Sequence, residues 1–124
     1  MTGGFISSLE PYVNAVLGRK ASGLVVLDVR GLTSVADAFI ICSGRSNRQV
    51  MAIADYIKQD LINQGISLLS IEGKREGHWV LMDYGHVIIH VFYEPQRSFY
   101  NLEGLWVDAK RVKTAGMEDR VDDD

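Results

Sequence analysis

The chain has 124 residues, 47% of them hydrophobic, and carries a formal net charge of −3 at pH 7. This length fits one domain that buries its own core, and the single cysteine, Cys42, excludes an intrachain disulfide. Residues 118–124 hold five acidic side chains and one arginine, so the rest is close to neutral and lacks the broad basic surface that wraps nucleic acid.

The predicted elements follow the order helix, two strands, helix, three strands and helix. Strands are predicted at residues 24–29, 38–42, 68–71, 78–83 and 86–92. Helices are predicted at residues 8–19, at residues 47–64 and from near Pro95 onward. Pro11 would lie in the first turn of the first helix, where its missing N–H costs no hydrogen bond. This order predicts an α/β (α+β) domain with a mixed sheet of about five strands and flanking helices.

The helix predicted at 47–64 has the clearest signals in the chain. Ser46 precedes it and Gln49 follows three residues later, which is the spacing of a capping box. Gly65 supplies a left-handed stop at its end. One apolar stripe is formed by Val50, Ile53, Ala54, Ile57 and Leu61. This stripe predicts packing of the helix on the sheet.

The pair Tyr84-Gly85 predicts a two-residue hairpin turn between the strands at 78–83 and 86–92. In that register Asp83 opposes His86 and Trp79 opposes His90. Because side chains alternate between faces, one face is entirely apolar and is expected to be core: Val80, Met82, Val87, Ile89 and Val91. The other face is mixed: Trp79, Leu81, Asp83, His86, Ile88 and His90. A tryptophan beside polar groups is typical of an interface anchor, although covering the sheet accounts for it equally well.

The sequence gives little support for a metal site or a nucleophile. His86 and His90 are four residues apart on one strand, about 13 Å along the chain, which is too far for one ion to bridge. His78 faces the opposite way. Cys42 lies inside an apolar strand and is expected to behave as a small hydrophobic side chain. No metal site and no catalytic residue is therefore predicted.

The turn at residues 43–46 joins a strand to a helix N-terminus, where backbone N–H groups can receive a phosphate. Nucleotidyltransferases begin similarly, with Gly-Ser before a helix. They also need two carboxylates one residue apart on the following strand to hold magnesium. Residues 68–72 contain no such pair, so nucleotidyl or phosphoryl transfer is not favoured.

A single domain is expected over residues 1–111, with residues 1–4 forming a short N-terminal tail. Residues 112–124 are expected to form a disordered acidic tail, since they are charged and poor in large apolar groups. No run reaches the roughly 18 apolar residues that span a membrane, and residues 1–9 lack the pattern of a signal peptide. These features favour a cytoplasmic protein that has no membrane partner.

Several ordered motifs carry a resemblance to a known family. They are DVRGLT at 28–33, ADAFIICSGRS at 36–46, GHWVLMDYG at 77–85, HVF at 90–92 and RSFYNLE at 97–103. Together with Leu105-Trp106, these motifs span roughly residues 20–109. In their order and spacing, the chain resembles the ribosomal silencing factor family, also called Iojap-related.

The resemblance implies a fold like that of nucleotidyltransferases without their catalytic carboxylates, and a protein that is not an enzyme and needs no cofactor. It also implies binding to the large ribosomal subunit through a basic protein, the fourteenth of that subunit. The bound factor would sterically block joining of the small subunit and repress translation. No direct reading of nucleic acid is implied, and the free protein is expected to be a homodimer.

The hairpin faces and the family motifs predict a partner-binding site composed of Trp79, Asp83, Tyr84, His90, Tyr100, Glu103 and Trp106. Glu72 and Glu76 are predicted as flanking acids. Aromatic and acidic side chains together suit the surface that receives a basic protein. Packing on the sheet is the alternative for the aromatic segment at 99–106. Two other functions stay open: a large-subunit assembly factor that uses the same face, and an enzyme of the nucleotidyltransferase type.

Overall fold

The computed structural model describes residues 2–19 and 21–118, so residues 119–124 of the predicted acidic tail lie outside the described residues. The elements are α1 (Thr2–Leu17), β1 (Ser22–Asp28), β2 (Ala38–Gly44), α2 (Asn47–Asn63), β3 (Ser70–Glu72), β4 (Trp79–Asp83), β5 (Val87–Tyr93), α3 (Glu94–Tyr100), α4 (Leu102–Leu105), β6 (Lys110–Arg111) and α5 (Ala115–Glu118). The strands form one mixed sheet in the order β3-β4-β5-β2-β1-β6. β2 and β5 are parallel, and the other neighbours are antiparallel. The predicted fold class is confirmed, with a sixth strand added at one edge.

α2 forms on the residues that the sequence predicts, and it packs on one face of the sheet. The Ser46 hydroxyl accepts a hydrogen bond from the Gln49 N–H at 3.0 Å. The Gln49 side chain accepts a hydrogen bond from the Arg45 N–H at 2.6 Å, so the side chains of Ser46 and Gln49 both cap the start of this helix. Gly65 has a positive φ of +84° after the helix, as predicted. All five residues of the predicted apolar stripe are fully buried.

α1 starts earlier than predicted, at Thr2, so residues 2–4 are helical and Pro11 lies in the interior of the helix. Proline in a helix removes one backbone hydrogen bond. Burial of Leu9, Val13 and Val16 against the same sheet face outweighs that loss. The described helices include none that is long and apolar enough to cross a membrane.

The β4–β5 hairpin has a different register from the predicted one. Trp79 pairs with Phe92, and the Tyr84 N–H donates to the Val87 carbonyl at 2.9 Å, so Gly85 and His86 form the turn. The Asp83 carboxylate accepts from the Gly85 N–H at 2.8 Å, which favours this turn over the predicted one. The partner of each residue therefore shifts by two positions. Because side chains alternate with a period of two, the apolar face is unchanged, and the five residues predicted to be core are fully buried.

The prediction of a free tail from residue 112 is wrong for its described part, residues 112–118. The Val112 N–H donates to the Val26 carbonyl at 2.9 Å, beside the short pairing of β6 with β1. Thr114 is fully buried, and Met117 packs on the larger core while α5 contacts α1. Residues 112–118 are mostly polar, yet these few contacts hold them against the β1 edge of the sheet and against α1.

Candidate functional site

The sheet face opposite α1 and α2 is covered unevenly. Over β1, β2 and β5 it forms a smaller core that Leu102, Trp106 and Ala109 help to cover. Toward β3 the cover ends: Trp79 and Leu81 are half-buried, and Glu72, which pairs with Leu81, is exposed. We call this uncovered part, with the aromatic residues at its border, the open face. It consists of Glu72, Trp79, Leu81, Asp83, Phe99 and Tyr100.

The aromatic part of the open face is assembled around Trp79. Its ring stacks on Phe92 with centroids 4.9 Å apart and contacts Tyr100 at the same distance. Phe99 lies edge-on to Tyr100 and is 79% exposed. Just after Phe99, α3 ends at Tyr100, and Asn101, with a left-handed φ of 49°, turns the chain into α4. An exposed aromatic surface of this kind is typical of protein interfaces.

Arg97 fixes α3 and α4 to the sheet. Its guanidinium donates to the Glu103 carboxylate at 2.7 Å and to the Ser43 hydroxyl at 2.8 Å. Gly23, with a positive φ of +63°, lets the guanidinium approach β1 closely, where a Cβ atom would lie 2.6 Å from it. Partial burial raises the pKa of Glu103, yet the hydrogen bond and charge of Arg97 lower the pKa below its ordinary value. Glu103 therefore serves this internal ion pair with Arg97.

His90 lies on the same sheet face as Trp79 and Leu81, buried beneath the Trp79 ring. It is 4% exposed, and its Nδ1 atom accepts a hydrogen bond from the Trp79 indole at 3.1 Å. Burial lowers the pKa of His90 to about 4, so its imidazole is neutral near pH 7. The structure thus places His90 beneath Trp79 and not at the surface where sequence reasoning expects a partner contact.

Tyr84 lies on the opposite side of the sheet from Trp79. It is buried against Tyr12, with ring centroids 5.5 Å apart, and burial raises the pKa of Tyr84 to about 12. His86 also contacts Tyr12, although the sequence predicts it opposite Asp83 on the face that carries Trp79. The same alternation that places Met82 in the core also places Tyr84 there, so this signal was present in the sequence. Tyr84 is therefore separate from the open face.

The remaining predicted residues differ in exposure and in what they contact. Asp83 is half-buried, and Glu76 is exposed in the turn before β4. Trp106 is half-buried and lies edge-on to Phe39 at 5.2 Å. Its chain neighbours Leu105 and Val107 are 75% and 78% exposed. Sequence reasoning missed both, because the segment has no clear helical or strand period that would identify outward-facing positions.

Neither the Cys42 thiol nor the His, Cys, Asp and Glu side chains of the described residues form a candidate nucleophilic or metal site. Cys42 is fully buried, and burial raises its pKa to about 12, which keeps the thiol protonated. Within residues 2–19 and 21–118, no group of three His, Cys, Asp or Glu side chains could hold a metal ion. The backbone N–H groups of Arg45 and Gln49 at the start of α2 already donate to side chains. What the open face offers is contact area and negative charge.

The fold and the open face together define a mixed α/β domain that presents aromatic and acidic side chains on one uncovered sheet face. A family model described as "Ribosomal silencing factor during starvation" matches residues 5–124. The chain belongs to this ribosomal silencing factor family.

Individual relatives agree with the family model. The chain is 44% identical over 109 residues to the ribosomal silencing factor of Halalkalibacterium halodurans, covering 88% of this chain and 93% of the relative. It is 47% identical over 91 residues to that of Bacillus subtilis, covering 73% and 77%. A crystal structure from Bacillus halodurans superimposes with a TM-score of 0.76 at 41% identity, covering 86% and 97%. A mouse protein named for mitochondrial assembly of the ribosomal large subunit is 29% identical over 101 residues, covering 79% and 44%.

Proposed function

We propose that this chain binds the large ribosomal subunit through its open face and represses translation by blocking the joining of the small subunit. The observation that carries the proposal is an exposed aromatic surface, Trp79 with Phe99 and Tyr100, in a member of the ribosomal silencing factor family. Exposed aromatic clusters in soluble domains mark surfaces that a partner covers.

The charge of the open face favours a basic protein as the direct partner. Glu72 and Asp83 both lie on this face, and within the described residues neither forms an ion pair. Their negative charge would repel ribosomal RNA and attract lysine and arginine side chains. We therefore propose the fourteenth protein of the large subunit, which the family resemblance implies, as the partner.

The proposed mechanism is occupancy of space. A domain held on the intersubunit side by aromatic contacts excludes the small subunit without breaking or forming a covalent bond. The protein is thus proposed to act without catalysis or a cofactor. We also propose, from the family resemblance, a cytoplasmic location and a homodimer of the free protein.

Assembly of the large subunit is the second candidate function, because a mouse relative is named for that process in mitochondria. The same open face would then dock on an immature particle. The two functions differ in the particle that is bound, and both require the aromatic surface.

Sedimentation of subunit-joining mixtures tests the proposal. Large subunits are incubated with the protein, small subunits are added, and the particles are separated on a gradient. We expect the protein to travel with free large subunits and joined ribosomes to decline. Protein that stays at the top of the gradient with normal joining would contradict silencing. In a parallel gradient that also contains immature large-subunit particles, exclusive migration with those particles would favour assembly.

Phe99→Ala and Leu69→Ala provide a matched pair for this assay. Both side chains are strongly exposed, 79% and 68%, so neither change should disturb the fold. Phe99 belongs to the open face, whereas Leu69 precedes β3 and lines a groove against α2. Only Phe99→Ala should restore joining.

A further inference from the structure

We propose that His90 is a positioning residue that holds the Trp79 indole N–H inward, so that a partner meets Trp79 through its apolar ring atoms and makes no hydrogen bond to it. This inference deepens the proposed function, on which it rests, because it concerns the same open face. His90 itself would not touch the partner, since it is 4% exposed.

The hydrogen bond fixes the chemical form of both side chains. An indole N–H can only donate, so His90 Nδ1, 3.1 Å from Trp79 Nε1, must be the unprotonated nitrogen of a neutral imidazole. The ring proton is then on Nε2, which is buried and has no hydrogen-bond partner among the described residues. Trp79 therefore uses its one polar group inside the protein.

The position of His90 in the sheet makes this arrangement rigid. His90 lies in β5 between Leu81 of β4 and Ile41 of β2, so strands pair with it on both sides. Its ring is edge-on to Phe39 at 5.1 Å and nearly parallel to Phe92 at 6.3 Å. The imidazole is therefore enclosed by Phe39 and Phe92 as well as by Trp79.

Stability of the fold does not by itself account for a histidine at this position. A buried Nε2–H without an acceptor destabilises the folded state, and a leucine of similar size would avoid that loss. What the histidine adds is one oriented acceptor under the indole. That acceptor holds Trp79 between Phe92 and Tyr100 before any partner arrives. A side chain ordered in advance loses less conformational entropy on binding.

Two substitutions at His90 separate positioning from packing. His90→Asn keeps an acceptor near the place of Nδ1, whereas His90→Leu keeps the volume and removes the acceptor. We expect His90→Leu to weaken binding to purified large subunits about fivefold to tenfold, the effect of one lost hydrogen bond, and His90→Asn to bind nearly as the unchanged protein does. Equal affinities for the unchanged protein and His90→Leu would overturn the inference.

A double-mutant cycle shows whether His90 acts through Trp79. Trp79→Phe retains an aromatic ring and lacks the N–H group. In that background His90→Leu should cause little further loss of affinity, because the bond it breaks is already absent. The same loss in both backgrounds would mean that His90 acts independently of the indole, which contradicts positioning.

A measurement without any partner keeps the inference distinct from the proposed function. Exchange of the Trp79 indole hydrogen with solvent, followed by nuclear magnetic resonance, should be slower than that of Trp106 and faster in His90→Leu. If the unchanged protein binds no large subunit, the proposed function fails while slow exchange still supports the inward bond. Exchange of Trp79 as fast as that of Trp106 would overturn the inference, even where His90→Leu does not fold.

Discussion

Trp79 of β4 and Tyr100 at the end of α3 contact each other with ring centroids 4.9 Å apart, so one aromatic surface is assembled from two separate elements. Neither element presents this surface alone. The contact depends on the placement of α3, which Arg97 ties to β2 through Ser43 and to α4 through Glu103. The geometry of the open face is thus set by tertiary packing.

Loss of the Tyr100 ring should weaken binding to the large subunit. Tyr100→Ala is expected to cost about 2 kcal/mol of binding free energy, roughly a thirtyfold loss of affinity, as for a central aromatic anchor. Tyr56→Ala is the control, because Tyr56 is similarly exposed, 37% against 46%, but lies on α2. Affinities are measured by co-sedimentation at several protein concentrations. A similar loss for both variants would exclude the open face as the binding surface.

Reversal of charge on the open face should slow association with a basic partner. Glu72→Lys is expected to lower the association rate severalfold and to change its dependence on salt, because a charge at the border of an interface mainly steers encounter. Asp60→Lys introduces the same charge change on α2. Rates are compared by stopped-flow mixing at low and high salt. Equal rates for the two variants would contradict a basic partner at Glu72.

Removal of the Arg97 side chain should loosen the helical segment that carries Tyr100. Arg97→Met leaves Glu103, whose side chain is 20% exposed, without its ion partner and should cost about 2 kcal/mol of unfolding free energy. The double change Arg97→Met with Glu103→Leu should recover part of that loss, since no unpaired charge remains. Urea denaturation measures both. A double variant less stable than the single one would show that the loss of stability comes from the missing ion pair and not from the unpaired Glu103 carboxylate.

Acid should destabilise the fold through His90. Burial lowers the pKa of His90 from 6.5 to about 4, so between these values the unfolded chain binds a proton that the folded protein does not. The contribution of neutral His90 to stability is therefore fully present above its unfolded pKa of 6.5. It is lost as the pH falls toward its folded pKa of about 4. Going from about pH 7 to about pH 5 should remove roughly 2 kcal/mol of unfolding free energy.

Arginine neighbours lower the pKa values of Asp28 and Glu103, so protonation of these carboxyl groups in acid also destabilises the folded protein. His90→Asn separates the effect of the histidine from theirs. Urea denaturation across this pH range should show a shallower decline for His90→Asn than for the unchanged protein. The same decline in both would mean that His90 is readily protonated in the folded state.

The sequence predicts the elements that have a clear period. α2, with its capping residues and apolar stripe, forms as expected, and so does the apolar face of the β4–β5 hairpin. The predicted hairpin register is wrong. The pair Tyr84-Gly85 indicated a turn at those two residues, whereas the hydrogen bond from the Gly85 N–H to Asp83 stabilises a turn at Gly85 and His86. An error of two positions preserves the faces, so Trp79 and Asp83 still lie together on the mixed face.

Features that depend on distant contacts were not predictable in this way. The packing of Thr114 and Met117 beside α1 leaves no local pattern, since the segment around them is polar. The burial of His90 depends on pairing with β2 and β4 on both sides. The sequence places the histidine on the correct face but does not show that Trp79 would cover it.

The open face consists of sheet residues and the end of α3, and its edge strand, β3, has only three residues. A partner that extended the sheet at an edge would be held by main-chain hydrogen bonds, which depend little on which side chains are present. A partner on the flat face is recognised by side chains alone. For the proposed partner, affinity should therefore respond to single substitutions at exposed positions such as Phe99, while the ladder of the sheet stays intact.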